Sequence, residues 1–204
     1  MTTGAEQAKP KPAFDAGSTV APIQVSSGVP ADADTHFEVQ QLYYREAKML
    51  DEGRYVDWLE MLADDLRYWM PVQTNRLRRQ QALSISAPGE TAYYDETKAS
   101  LAWRIRRFDS GLAWSEDPPS RTRHLITNVL VTLPDPADES HAPGDLVAES
   151  NYLVYRSRLQ HETGLLAGRR IDLLRRTDHG LLVCRRTILL DVNVLDQKNI
   201  STFF

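Results

Sequence analysis

Five histidines, one cysteine and a run of paired arginines are the side chains in this chain best suited to chemistry. His36, His124, His141, His161 and His179 never fall at the i, i+4 spacing of a helical metal site, and no C-x-x-C or C-x-H segment occurs. Only a site gathered from distant residues remains open, such as His124, His179 and Asp172 in a two-histidine, one-carboxylate set. Acid-base work in a pocket would need a carboxylate or histidine and a polarising tyrosine, which Tyr152, Tyr155, His124 and Asp172 could supply. No G-x-S-x-G, G-x-x-x-x-G-K or G-x-G-x-x-G segment occurs, so nucleophile elbows, phosphate loops and dinucleotide fingerprints carry no signal.

Arginine is the more informative residue. The chain has 19 arginines against 5 lysines, and the planar guanidinium suits buried and interfacial ion pairs better than an ammonium. Arg169-Arg170, Arg175-Arg176 and Arg185-Arg186 lie inside apolar runs of strand character, so one member of each pair must share a face with leucines. Partners such as Asp172, Glu149 and Asp191 are expected within the sheet or across a subunit boundary, because an unpaired buried charge is expensive. A ladder at an interface is favoured over a merely solvated face. In WSEDPPSRTRHLITNV the Pro118-Pro119 pair stiffens the approach, Ser120 can make a local turn bond, and Arg121 and Arg123 arrive at the start of a strand. There they can fork onto carboxylates or carbonyls of a neighbouring chain, a role favoured over anion binding.

The elements that position these groups follow from periodicity. Residues 1–34 are rich in Pro, Ala, Gly, Ser and Thr and read as a flexible arm, leaving 35–204 as a single domain. Thr35 with Glu38 has the form of a capping box for a helix through Val39, Leu42, Tyr43, Ala47 and Leu50. Tyr55, Trp58, Leu59 and Leu62 repeat with helical spacing and predict a second helix closed by Asp64-Asp65. LRYWMPVQTNR suits an edge or first strand because of its proline, and Asp95 can cap a third helix whose stripe is Leu101, Ile105 and Phe108. The period then changes to two. Leu125, Thr127, Val129, Val131 and Leu133 are expected on one strand face, a strand follows near Leu146 to Leu159, and a longer one carries Leu165, Ala167, Ile171 and Leu173 together. Asp178-His179-Gly180 marks a hairpin, and Leu182, Cys184, Ile188, Leu190, Val192 and Val194 alternate in the last strand, making Cys184 a buried small hydrophobe. Helices followed by hairpin-linked strands predict an α+β fold, with helices covering one face of a strongly curved, mainly antiparallel sheet that leaves a cone.

Composition narrows the rest. Net charge is −4 and the basic residues form no long aromatic-interleaved patch, which argues against a nucleic-acid partner. No apolar run reaches the length of a membrane helix. A missing secretory pattern and a single cysteine point to the cytoplasm.

Several segments resemble one family. QLYYREAKMLDEGRYVDWLEMLADDLRYWMPV, AWSEDPPSRTRHLITNV, GRRIDLLRR, RRTILLD and NISTFF are similar to the small (beta) subunit of aromatic-ring-hydroxylating dioxygenases, the Rieske non-haem iron oxygenases, in order from about His36 to Phe204. The wording is nearest the biphenyl, benzene and toluene group. This resemblance implies a cone similar to nuclear transport factor 2 and a hetero-hexamer of three large and three small subunits. It also implies a large subunit that carries the Rieske [2Fe-2S] cluster and mononuclear Fe(II), with electrons from NADH arriving through a reductase and a ferredoxin. This chain is then a structural subunit with no catalytic, cofactor-binding or metal residues of its own, in an oxidoreductase that makes cis-dihydrodiols from aromatic hydrocarbons. Tyr68, Trp69, Arg121, Arg123, Arg169 and Asp172 are the residues expected at subunit interfaces. The alternatives are an independent lyase or isomerase working in the cone, or a trimeric ligand-binding module. The long arm and the acidic loop from Pro134 to Asp145 depart from the family pattern and read as surface variation.

Overall fold

A computed structural model describes residues 28–109, 116–134, 141–192 and 200–204. The arm up to residue 27, Trp114 and most of the acidic loop lie outside them. The element order is β1 (Val29–Pro30), α1 (Ala33–Asp51), α2 (Tyr55–Leu59), β2 (Leu62–Pro71), a 3-10 helix (Arg78–Leu83), β3 (Ala92–Glu96), α3 (Lys98–Asp109), β4 (Arg121–Leu133), β5 (Leu146–Arg158), β6 (Glu162–Thr177) and β7 (Gly180–Leu190). The strands form one sheet in the order β1-β4-β5-β6-β7-β2-β3, antiparallel except for the β2–β7 pair. Helices cover one face, and the α+β architecture is the one the periodicity implies.

Local chemistry moves several boundaries. Val29 pairs with Leu133, so regular structure begins ahead of residue 35. Asp32, not Thr35, caps α1: its carboxylate accepts the Thr35 N–H at 2.8 Å. The predicted second helix stops at Leu59, and Asp64-Asp65 lie within a strand instead of closing a helix. From Leu66 onward the chain alternates, with Leu66, Tyr68 and Met70 turned into the core, and this period of two outweighs the short helical run. Nor is β2 an edge: it runs between β7 and β3, with Pro71 at its end, where the register shifts and a missing donor costs least. Asp95 belongs to β3 opposite Trp69. The cap of α3 is Thr97, whose hydroxyl accepts the Ser100 N–H while the Ser100 hydroxyl accepts the Thr97 N–H.

Bulges decide which face each strand presents. In β4 the register slips between Thr127 and Leu130, with Asn128 at φ 52°. His124 and Ile126 therefore face inward before the bulge and Val129 and Val131 after it, while Leu125 and Thr127, expected beside Val129, face out. In β7 the slip lies at Cys184, between Val183 opposite Leu174 and Arg185 opposite Leu173. Leu182 and Cys184 accordingly join Ala63, Val147, Ile171 and Leu173 in a small outer cluster, whereas Ile188 and Leu190 belong to the main core. β6 carries no bulge against β5: Leu166, Gly168, Arg170, Asp172 and Leu174 face in, and Leu165 and Arg169 face out. The turn predicted at Asp178-His179-Gly180 joins β6 to β7, with Gly180 at φ 116°.

Candidate functional site

The inner face of the sheet holds a buried ionic cluster. Arg186 of β7 donates to Glu46 through Nη1 at 2.6 Å and Nη2 at 3.1 Å, and to Asp172 through Nε and Nη2 at 2.8 Å each. Arg170 of β6 has its Nη2 2.9 Å from Glu46 Oε2, off the N–H axis, so this is a charge contact and not a hydrogen bond. Its Nε donates to the Ser150 hydroxyl, and its guanidinium lies over the Tyr43 ring, 4.2 Å from the centroid. The Trp58 indole donates to Glu46 and the Tyr43 hydroxyl to Asp172. Two cations thus meet two anions, each side chain no more than 2% exposed. Burial raises the Glu46 carboxyl, but Arg186 and then Arg170 outweigh it and leave the group at about 2. Burial likewise drives the Tyr43 and Tyr68 hydroxyls well above the ordinary tyrosine value.

The C-terminal residues fill the space beside this cluster. Phe203 stacks on Trp58 with centroids 4.8 Å apart and meets Tyr55 and Phe108 edge-on, while Phe204 packs against Tyr152. Side chains, not a strand, hold the backbone of this tail. The Tyr94 hydroxyl donates to the Ile200 and Thr202 oxygens, the His124 Nε2 to Phe203, and Arg186 Nη1 and the Tyr68 hydroxyl to Phe204. A cavity of about 10 Å³ beside His124, Glu116 and Ser201 has room for one water. A ligand pocket is typically some hundreds of Å³. Among the described residues, Phe203 and Phe204 occupy the space beside the ionic cluster in which a lyase or isomerase would hold its substrate.

The residues considered for catalysis are not brought together. His124 sits at the start of β4 with Nδ1 2.6 Å from Asp51 of α1, His179 is exposed in the β6–β7 turn, and Asp172 is bound to Arg186. Tyr152 faces in and donates to the Leu189 oxygen, whereas Tyr155 faces out. Among the described residues, no group of three or more His, Cys, Asp or Glu side chains converges as a metal site. Cys184 is buried and its thiol is pushed up to about 11 by burial.

The six residues expected at interfaces divide sharply. Tyr68 and Asp172 are fully enclosed within this chain and bonded to Phe204 and Arg186, so they have no surface to offer a neighbour. Trp69 is nearly enclosed, and its indole N–H has no partner among the described residues. Arg121, Arg123 and Arg169 do stand on the outer face, Arg123 with its Nη1 donating to Asp51 of this chain at 3.3 Å. Four of the six paired arginines have carboxylate partners within the chain: Arg175 forks onto Asp65, Arg176 onto Glu38, and the partners of Arg170 and Arg186 are Glu46 and Asp172. Of the ladder expected of these pairs, Arg170 and Arg186 belong to a buried internal cluster and Arg175 and Arg176 to two surface forks within the chain. The loop before β4 is held by β5, with Arg156 bonded to Glu116 and Ser120 and Arg158 to the Pro118 and Asp117 oxygens.

Glu46 escaped the sequence reading, which placed Ala47 on the buried stripe. Its signal was present, since it lies four residues after Leu42 and four before Leu50, a carboxylate on an otherwise apolar helix face.

Outside the cluster containing Val147, Ile171 and Leu173, the outer face of the sheet across β4, β5 and β6 is exposed among the described residues. Arg123, Tyr155 and Leu165 lie side by side across β4, β5 and β6, followed by Leu125, Leu153 and Ala167, then Thr127, Asn151 and Arg169. Leu125 is 49% exposed and Leu165 60%. An apolar centre with arginines around it is the composition of a contact surface more than of a solvated one.

Comparison with known proteins agrees with this geometry. The chain is 38% identical over 177 residues to the biphenyl 2,3-dioxygenase subunit beta of Rhodococcus jostii, covering 86% of this chain and 91% of that protein. It is 41% identical over 174 residues to the 3-phenylpropionate/cinnamic acid dioxygenase subunit beta of Photorhabdus laumondii, covering 84% and 92%. Its fold matches a chain of naphthalene 1,2-dioxygenase with indole bound, at TM-score 0.73 and 22% identity over 85% of this chain and 88% of that one. It also matches an NTF2-like protein with a cystatin-like fold from Novosphingobium aromaticivorans, at TM-score 0.51 and 16% identity over 79% and 84%. The family model for the ring hydroxylating beta subunit matches residues 45–197, and this chain belongs to that family, as the small subunit of an aromatic-ring dioxygenase.

Proposed function

We propose that this chain braces the large subunit of a multicomponent dioxygenase that converts an aromatic hydrocarbon and O₂ to a cis-dihydrodiol, in a complex of three large and three small subunits. The Rieske cluster and mononuclear iron of the large subunit supply the redox chemistry, fed from NADH through a reductase and a ferredoxin. No step is assigned to residues of this chain, whose described residues offer no fitting ligand set. The observation that carries the reading is the contrast between faces: the interior is filled by Phe203 and Phe204, while the outer sheet keeps Leu125, Leu153, Tyr155 and Leu165 uncovered. In this reading the outer face receives the large subunit, with Arg121, Arg123 and Arg169 at the rim forking onto its carboxylates or carbonyls.

Co-expression tests it. The large subunit made with this chain is expected to form a stable hexamer that oxidises arenes, and the large subunit alone is not. Native assembly and full activity without this chain would overturn the proposal. Arg121→Ala and Arg169→Ala are expected to weaken the hexamer by about 2 kcal/mol while leaving the melting of the isolated chain unchanged. Unchanged hexamer stability in sedimentation for both variants removes the assigned face.

A further inference from the structure

We infer that His124 is a proton-dependent clasp on residues 200–204: its charged ring ties Phe203 to the end of α1, and loss of one ring proton frees Phe203 from the cone. The inference concerns the interior and holds whatever the outer face binds.

Both ring nitrogens of His124 face groups that only accept. Nδ1 lies 2.6 Å from Asp51 Oδ1, and Nε2 lies 2.9 Å from the Phe203 carbonyl oxygen. Asp51 is held as a carboxylate, because it also accepts the His124 backbone N–H at 3.0 Å and the Arg123 Nη1 at 3.3 Å. Each ring nitrogen therefore carries a hydrogen. That makes the ring an imidazolium, 2% exposed, beside a carboxylate that is 7% exposed. A neutral ring has one N–H for two acceptors. Kept on Nδ1, the hydrogen leaves the Nε2 lone pair against the Phe203 oxygen. Kept on Nε2, it leaves a lone pair against a full negative charge, which is the worse arrangement. The contact given up is the one to Phe203.

Among the described residues packed around the ring, none other changes charge near neutrality. Arg123 beside it on β4 stays charged. Glu116, in the loop before β4, lines the same small cavity. Burial raises its carboxyl, but hydrogen bonds from Ser201 and Ser120 outweigh this and leave it below its ordinary value. The Tyr55 hydroxyl of α2 is pushed up by burial and then by the charges of Glu116 and Asp51. Of the other groups holding residues 200–204, Arg186 keeps its charge, and burial raises the Tyr68 and Tyr94 hydroxyls. Phe203 stacks on Trp58 and meets Tyr55 and Phe108 edge-on, so its release uncovers the aromatic lining of the cone.

Nuclear magnetic resonance of the full-length chain, labelled with para-fluorophenylalanine, tests the clasp between about pH 5.5 and 9. The Phe203 fluorine signal is identified by its loss in Phe203→Leu, and the ring nitrogen shifts of His124 report its hydrogens. At the low end both ring nitrogens are expected to carry hydrogen, with Phe203 seated. As the ring loses a proton, the unseated population of Phe203 is expected to rise about tenfold or more, because a buried carbonyl then faces a lone pair. In Asp51→Asn the side-chain amide donates to Nδ1, so a neutral ring keeps its Nε2–H on Phe203. The unseated population of that variant is expected to stay constant within about twofold. His124→Gln, which does not titrate, is expected to remove the dependence as well. A ring with a single hydrogen at the low end, a Phe203 signal that does not follow the ring, or a dependence that survives in either variant overturns the inference. Should Asp51→Asn fail to fold, the parent titration and His124→Gln decide.

Discussion

Arg186 and Glu46 lie 140 residues apart in sequence and meet through two hydrogen bonds of 2.6 and 3.1 Å, joining the last strand to the first helix in the buried core. Glu46 also accepts from Trp58 and lies against Arg170, so removing it leaves two buried guanidinium groups with Asp172 as their one remaining carboxylate and takes the partner from the Trp58 indole N–H. Breaking one side of such a cluster costs about 3 to 5 kcal/mol. Glu46→Ala is expected to lower stability by that amount in urea unfolding monitored by circular dichroism. A loss below 1 kcal/mol would mean that the two arginines find other partners or water.

The same carboxylate sets an acid limit. Its folded value is about 2 and its ordinary value 4.5, so as pH falls the unfolded chain takes up the proton first. The stabilisation is complete above about pH 4.5 and is lost down to about pH 2, on the order of 3 kcal/mol in all. Unfolding free energies measured between pH 5.5 and 2.5 should fall more steeply for the parent than for Glu46→Gln, by about one proton's slope. Parallel curves would remove Glu46 from the acid response.

Gly168 marks a contact at which no side chain fits. A Cβ there runs into the Leu189 backbone oxygen and lies 2.6 Å from the Tyr152 hydroxyl, which itself donates to Leu189 across the glycine. Backbone cannot yield as a flexible side chain can. Gly168→Ala is expected to cost about 1 to 3 kcal/mol and to loosen the Tyr152–Phe204 packing, read as a lower melting temperature with altered near-ultraviolet dichroism. A neutral result would show that β6 and β7 can part there without penalty.

Phe203 fills the cone centre among Trp58, Tyr55 and Phe108. Phe203→Ala should cost about 3 to 5 kcal/mol and leave a cavity that binds small aromatic probes. Calorimetry with indole then reports whether the space stays open: binding to the variant and not to the parent is expected. Equal binding by both would mean that the cone is not filled by this side chain.

Regular elements read well from local pattern where one signal governed them. The burial of Val39, Leu42, Tyr43 and Leu50 on α1, the β6–β7 turn at Asp178-His179-Gly180 and the burial of Cys184 all appear as their periods and turn residues imply. Pattern failed where two signals competed. Tyr55 to Leu62 carries helical spacing, yet from Leu62 the chain pairs with β7 and then β3, and Leu66, Tyr68 and Met70 are buried with the period of a strand. The faces of Leu125 and Cys184 were set by single-residue bulges in β4 and β7, and a bulge reverses parity without changing composition.

Sequence alone determined the family, the α+β class and the presence of more arginine charge than a sheet can leave unpaired, because these depend on composition, period and motif order. Tertiary structure decided what the charges do. It turned Asp172 and Tyr68 inward, supplied Glu46 from a distant helix as the counter-ion of Arg186, and left Arg121, Arg123 and Arg169 outside. Partner choice across 140 residues depends on how helix and sheet pack, and no spacing along the chain encodes it.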